Sequence, residues 1–147
     1  MIHLLDVNVL IALVDPEHSH TRPARRWFER HAASGWATCP LTENGLLRIV
    51  SNPRYANAVG SPAVAINGLV GMKNVPQHHC WADDISLSDE LRVNPQRLPT
   101  SAHLTDIYLL ALAVAHGGEL ATFDRRLTTS AVAGGSRALH VIDFTAA

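Results

Sequence analysis

The chain has 147 residues, which points to a single domain over 1–147 with a core large enough to need no disulfide or metal staple. Apolar residues make up 47% and charged residues 17%, which excludes a disordered chain, and a formal net charge of −1 neither requires nor excludes nucleic acid, because a basic patch can be local. No apolar run approaches the ~20 residues of a membrane helix and no signal-type start is present, so a soluble, cytoplasmic protein with no membrane partner is expected.

In chain order, Ile2–Leu5 is predicted as a short buried strand and Val7–Val14 as a helix that begins at once after it, ended by Pro16. "EHSH" makes a loop. Pro23 suits the first turn of a helix over Arg22–Ala33, Gly35 stops it, and "WATCP" is a second strand. Pro40–Val50 is predicted helical up to Ser51–Asn52–Pro53, and "SPAVAINGLVGM" forms a weaker helix holed by Gly68 and Gly71. His79–Ala82 is a candidate strand and Ser86–Val93 a short helix opened by Ser86 or Ser88. After the polar stretch Asn94–Ser101, residues 103–116 are apolar nearly all round, the mark of a buried helix, with Gly117 or Gly118 as its stop. Glu119–Phe123 is a strand, Asp124–Leu127 a turn of helix, and Leu139–Ile142 a last strand. Short apolar strands alternating with helices predict βαβ units around a mainly parallel sheet covered on both faces. Ligands of such sheets bind at the carboxyl ends of the strands.

Cys39 and Cys80 have no metal spacing and no disulfide framework, so they are expected as small apolar core residues in a reducing compartment. Lys73 is the one lysine among the basic residues, an arginine bias that coding composition explains without any phosphate ligand.

Asp6 interrupts "HLLDVNVLIALVD" at the carboxyl end of the first strand, where desolvating a carboxylate is costly unless its charge is compensated. Glu43 follows the second strand, Asp124 ends "ELATFD", and Asp106 falls in the first turn or so of the buried helix. Helix-dipole capping explains any one of them, being worth ~0.3–1 kcal/mol. Four converging on one sheet edge is different, since two carboxylates ~4 Å apart repel by about 4 kcal/mol at an effective dielectric near 20. A cation among them, or protonation, resolves the conflict. All-oxygen donors without a Cys/His cluster favour Mg²⁺ or Mn²⁺ over zinc. An acidic pocket holding such an ion points to metal-dependent phosphoryl hydrolysis, with one or two ions activating water. Asp15, Glu17, Glu29, Asp83–Asp84 and Asp89–Glu90 are expected as solvated charges.

The pieces "LLDVNVLIAL", "TENGLLRIV", "HLTDIYLLALAVAHGGELATFDRR" and the closing "HVID" resemble, in this order and over almost the whole chain, the PIN-domain family in its toxin branch, VapC. That resemblance implies a three-layer α/β/α sandwich with a parallel sheet of four or five strands. It also implies a Mg²⁺- or Mn²⁺-dependent endoribonuclease cleaving structured RNA such as tRNA or rRNA. Asp6, Glu43, Asp106 and Asp124 map onto the family's acidic quartet, with Asp6 and Asp106 as the foremost direct ligands and one ion expected in the free protein. Asn8, two places after Asp6, and Thr122, two before Asp124, match polar positions that steady the carboxylates. The same resemblance implies a homodimer and a cognate VapB-type antitoxin as partner.

Further RNA contacts are assigned to His103, on the same helix side as Asp106, and to Arg125, Arg22 and Arg26. Arg22, Arg26 and Arg30 recur at helical spacing, a pattern that a solvated face also produces. His18 and His20 are expected as loop residues, His116 as a helix-end residue, and Trp27 and Phe28 as packing under their helix. Two other readings stand beside the nuclease: an aspartate-nucleophile phosphatase and a non-catalytic RNA- or protein-binding domain. The phosphatase wants a second acid where Asn8 stands and a lysine in a role that Lys73 is poorly placed to fill.

Overall fold

The N-terminal apolar run divides at its one acid: His3–Leu5 forms β1, and Asp6 turns the chain directly into α1, Val7–Val14. The structure is a computed structural model that describes residues 1–145. α2 (Thr21–His31) runs into a single 3-10 turn, and Gly35, at φ +108, reverses the chain into β2 (Trp36–Thr38). α3 (Pro40–Val50) starts on its proline, and α4 (Pro62–Lys73) is capped by Ser61, whose hydroxyl accepts from Val64 N–H at 3.3 Å. Then come β3 (His78–Cys80), α5 (Leu104–Ala115), β4 (Glu119–Thr122), α6 (Gly135–Ala138) and β5 (Leu139–Val141).

The five strands form one parallel sheet in the order β3-β2-β1-β4-β5. The chain therefore builds outward from β1 on one side, returns, and builds outward on the other. Its order reverses between β1 and β4, where His3 pairs Glu119 and Leu5 pairs Ala121. Strand alternation sends Leu4, Ala37 and Leu120 to one face, against α5 and α6, and Leu5, Trp36 and Ala121 to the other, against α1 to α4. This is the three-layer α/β/α arrangement. The all-round apolarity of α5 has its reason here, because Ile107, Leu109, Leu110, Ala111, Leu112 and Ala113 are all buried. Among the described residues no helix is long and apolar enough to cross a membrane.

Gly45, a poor residue for helix propensity, is required by packing. A Cβ there would meet Val7 Cγ2 at 2.9 Å, so its absence lets α3 close against α1. Gly68 and Gly71 face open space and weaken α4 without serving any contact.

Several expectations need correction. Residues 86–93 form turns, not a helix: Ser86 Oγ accepts from Ser88 N–H and Asp89 Oδ1 from Leu91 N–H, so short polar side chains capture the amides a helix would use. Asp124–Leu127 is likewise a turn, closed by Arg126 N–H on Asp124 Oδ1 at 2.8 Å. α6 carries too little apolar periodicity to announce itself. β3 lies one residue earlier than expected, and being at the sheet's edge it leaves Cys80 exposed; only Cys39 is a core thiol. Asp15 is not solvated. It is buried, with Tyr55 OH and Asn57 Nδ2 donating to Oδ2 and Glu17 N–H to Oδ1. Burial raises its pKa, but these hydrogen bonds outweigh burial and leave it below the usual carboxylate range.

Gly118 makes the tightest approach in the fold, at the entry to β4. A Cβ there would lie 2.4 Å from the Ile2 carbonyl oxygen and 2.7 Å from the Trp81 ring, and the oxygen belongs to sheet backbone. Gly118→Ala is expected to destabilise the protein by about 1–3 kcal/mol, an overpacking cost, read as a lower urea midpoint with an unchanged m-value.

Candidate metal centre

β1, β2 and β4 all deliver their carboxyl ends to one edge of the sheet, and α5, which leads back into β4, presents its first turn at that same edge. Asp6, Glu43, Asp124 and Asp106 therefore share an edge for topological reasons. Their environments differ.

Asp6 is buried at the switch between β1 and β4 and caps α1. Oδ1 accepts from Val7 N–H at 2.7 Å, and Oδ2 accepts from Thr122 Oγ1–H at 2.7 Å. Its pKa is pushed up to about 6, chiefly by burial. The charges of Asp106 and Asp124 push the same way, while the bonds from Thr122 and Val7 oppose them. Asp106 is half-buried and also raised, by burial first and then by Asp124, with His103 opposing. The three aspartates thus act on one another electrostatically. Among the described residues no cation bonds to Asp6.

Thr122 is the junction of this group. Besides donating to Asp6 it accepts from Asn8 Nδ2 at 3.2 Å and from Asp124 N–H at 3.1 Å, while Asn8 Oδ1 accepts from Phe123 N–H at 3.3 Å. One hydroxyl therefore links β1, α1 and the end of β4. Asn8 is engaged through both amide atoms in that bracing, at the position where the phosphatase reading wants a second acid.

Glu43 stands apart from the trio. Oε2 accepts from Thr38 Oγ1–H at 2.6 Å, and Oε1 pairs with Lys73 Nζ at 3.1 Å. Lys73, expected to be poorly placed, reaches the acidic edge from the end of α4. His78 and Cys80 of β3 offer ligand atoms within 4.8 Å of the Glu43 carboxylate and of each other. Sequence reasoning missed Thr38, Lys73, His78 and Cys80. Thr38 had a usable signal, because it ends β2 as Thr122 ends β4, with an acid of the quartet five residues on in one case and two in the other.

The remaining candidates disperse. His103 is exposed at the start of α5 with Nδ1 3.0 Å from Thr100 Oγ1, near enough to act on Asp106. Arg125 pairs with Asp143 at 3.3 Å and lies 4.5 Å over the Phe144 ring. Arg22 is exposed on the first turn of α2. Arg26 and Arg30 instead line a separate cavity with Trp27, His31 and Asp143. His20 is a packed residue, stacked on Phe144 at 4.4 Å. His116 stacks on Trp81 and reaches Asp84 at 3.1 Å.

The donor chemistry of the trio fits a hard divalent cation. Its side chains offer only oxygen, one carboxylate is buried, and two have pKa values raised by burial first and by neighbouring anions second. Such an ion would relieve the strain that burial and repulsion impose.

A family model described as PIN domain matches residues 3–132. The chain is 41% identical over 134 residues to ribonuclease VapC44 of Mycobacterium tuberculosis, covering 91% of this chain and 94% of the relative. It is 43% identical over 134 residues to ribonuclease VapC39 of the same organism, covering 91% and 96%. Among solved structures it resembles VapBC2 from Rickettsia felis bound to a DNA fragment from its promoter, at TM-score 0.63 and 15% identity over 97% of this chain and the whole of the other. It also resembles the sarcin-ricin loop cleaving toxin VapC20 of Mycobacterium tuberculosis, at TM-score 0.61 and 10% identity over 89% and 96%. At such identities the structural likeness concerns the fold.

The raised Asp6 pKa has a stability consequence of definite sign. Its folded pKa of about 6 lies above the unfolded value of 3.8, so the native state holds the proton more tightly and stability falls as pH rises from about 4 through 6. In chelator, Asp6→Asn is expected to be more stable than the parent above pH 6, by on the order of 2–3 kcal/mol, with the gap closing below pH 4. Urea unfolding at a series of pH values measures this, and added Mg²⁺ should narrow the gap by stabilising the parent.

Proposed function

The chain belongs to the PIN-domain family, among the VapC ribonucleases, and we propose that it is the toxin of a type II toxin–antitoxin pair, acting as a metal-dependent endoribonuclease. The observation that supports this is the aspartate trio braced through Thr122 at the β1/β4 switch point. Asp6, Asp106 and Asp124 hold Mg²⁺ or Mn²⁺, and Glu43 completes the quartet from its own mount on Thr38 and Lys73. When bound, the ion supplies Lewis acidity at a scissile phosphodiester and lowers the pKa of bound water.

The chain's own residues contribute orientation and charge. Asp6 is locked at both oxygens, so its carboxylate plane is fixed by Thr122 and the first amide of α1. Asn8 and Thr122 keep the β4 end from drifting away from β1. Glu43, with one oxygen on Thr38 and one on Lys73, is held in place facing the same edge, suited to orient the attacking water. His103 and Arg125 stand beside Asp106 and Asp124 and are suited to meet substrate phosphates, with Arg22 further out on the first turn of α2. The substrate class proposed is structured RNA of the tRNA or rRNA kind, which suits a shallow, half-exposed acidic edge better than a closed pocket would. A VapB-type antitoxin, a homodimer and a cytoplasmic location complete the proposal.

Cleavage of a labelled structured RNA tests it. Activity is expected with Mg²⁺ or Mn²⁺, to be abolished by EDTA, and to fall at least about 100-fold in Asp106→Asn while circular dichroism is unchanged. Lys73→Met should fall less, by about tenfold, since it loosens Glu43 without removing it. Undiminished cleavage by Asp6→Asn or Asp106→Asn in the presence of EDTA would sink the reading.

A further inference from the structure

The amino-terminal end of the same sheet carries a second cluster, of different chemistry. His3 of β1, Glu119 of β4 and His140 of β5 bring one donor atom each within 4.8 Å of one another. The strand register explains why: His3 pairs Glu119, and His140 pairs Ala121, two residues along β4 and on the same face of the sheet. That face lies under α2. His3 packs edge-on against Trp27, His31 and His140, with ring centroids 5.0, 5.4 and 5.1 Å away.

We propose that His3, Glu119 and His140 form a binding site for a zinc-class divalent ion, distinct from the acidic edge. Two imidazoles and one carboxylate are a zinc-type donor set, whereas Mg²⁺ prefers oxygen alone. His3 Nε2 lies 3.2 Å from Glu119 Oε1, close to the ~3.3 Å that separates two ligands with ~2.0–2.1 Å bonds in tetrahedral geometry. His3 is nine-tenths buried and its Nδ1 has no hydrogen-bond partner, so the fold leaves this imidazole half satisfied. Ligation through Nε2 would replace its direct contact with Glu119 by a shared ion. Both rings are held neutral, His3 down to about 4 by burial and then by the charges of His140 and His31, and His140 lowered chiefly by burial. Neutral rings are the ligating form.

His31 borders the cluster without bringing a donor atom within 4.8 Å of all three. Its Nδ1 is 2.7 Å from the Trp27 carbonyl, which leaves Nε2 available, and its ring centroid is 5.4 Å from those of both His3 and His140. A cavity of about 320 Å³, lined in part by Trp27 and His31, lies beside the cluster, whose three ligands are not among its lining. The indole N–H of Trp27 donates to His140 Nε2 at 2.7 Å. An ion taking that lone pair displaces the indole, so Trp27 reports occupancy by its fluorescence. The ion would tie β1, β4 and β5 together, away from the aspartates.

Zn²⁺ and Co²⁺ titrations of the full chain test the site, in an Asp6→Asn/Asp106→Asn background that removes the acidic edge as a competing sink. One equivalent of Zn²⁺ is expected to bind with a change in tryptophan fluorescence, and Co²⁺ to give the intense visible bands of a tetrahedral nitrogen–oxygen site. Adding His140→Gln, or Glu119→Gln if the first variant fails to fold, should weaken binding by at least about tenfold and abolish the fluorescence response. Zn²⁺ binding that vanishes in the Asp6→Asn/Asp106→Asn background overturns the proposal. So does binding there that neither His140→Gln nor Glu119→Gln changes. These readouts do not depend on RNA cleavage, so the ribonuclease reading stands or falls separately.

Discussion

The hydrogen bond from Thr122 to Asp6 joins residues 116 positions apart and crosses the sheet where its strand order reverses. Around it the acidic edge is assembled. β1 and β4 are neighbours although most of the chain lies between them, and their pairing sets Asp6 and Asp124 on the two lips of the resulting crevice. α5 returns to feed β4, so its first turn, with Asp106, has to start at the same edge. An acid that would be a misplaced charge in an isolated strand–helix junction becomes one of three mutually repelling carboxylates. Burial and repulsion together suit the edge to the cation proposed for it.

The sheet separates two chemistries by its two ends. At the carboxyl edge, helix N-termini and strand ends collect acids, and burial, aided by anionic repulsion, holds protons more tightly than usual on Asp6 and Asp106. At the amino edge, burial under α2 strips protons from imidazoles and gathers three histidine rings around Trp27. Hard oxygen donors and borderline nitrogen donors thus sit at opposite ends of strands only three or four residues long. Glu43 is intermediate in character. It belongs to the acidic edge by position, yet Thr38, Lys73, His78 and Cys80 surround it with neutral and cationic partners.

Local signals were legible where one residue both ended one element and began the next. Val7–Val14 and Pro40–Val50 have the bounds that Asp6, Pro16, Pro40 and Ser51 announce, because caps and prolines act through the neighbouring backbone alone. Residues 86–93 depart for the complementary reason: Ser86 and Asp89 can cap a helix or close turns, and with Val93 alone among them buried no apolar face tips them toward helix. Gly45 read as a flaw in a helix and is the residue that lets α3 approach α1. Asp15 read as solvated, since neither Tyr55 nor Asn57, forty and forty-two residues on, is visible to any local pattern.

By itself the sequence determined the alternation of strands and helices, the parallel three-layer architecture, and the acids at strand ends, since each follows from periodicity, capping and burial of neighbours along the chain. The tertiary structure decided which acids share a field, what holds Glu43, and that three histidines, absent from any recognisable spacing, meet a glutamate and a tryptophan. Those outcomes depend on strand order and register, which pair residues more than a hundred positions apart. A pattern read along the chain carries no information about such distances.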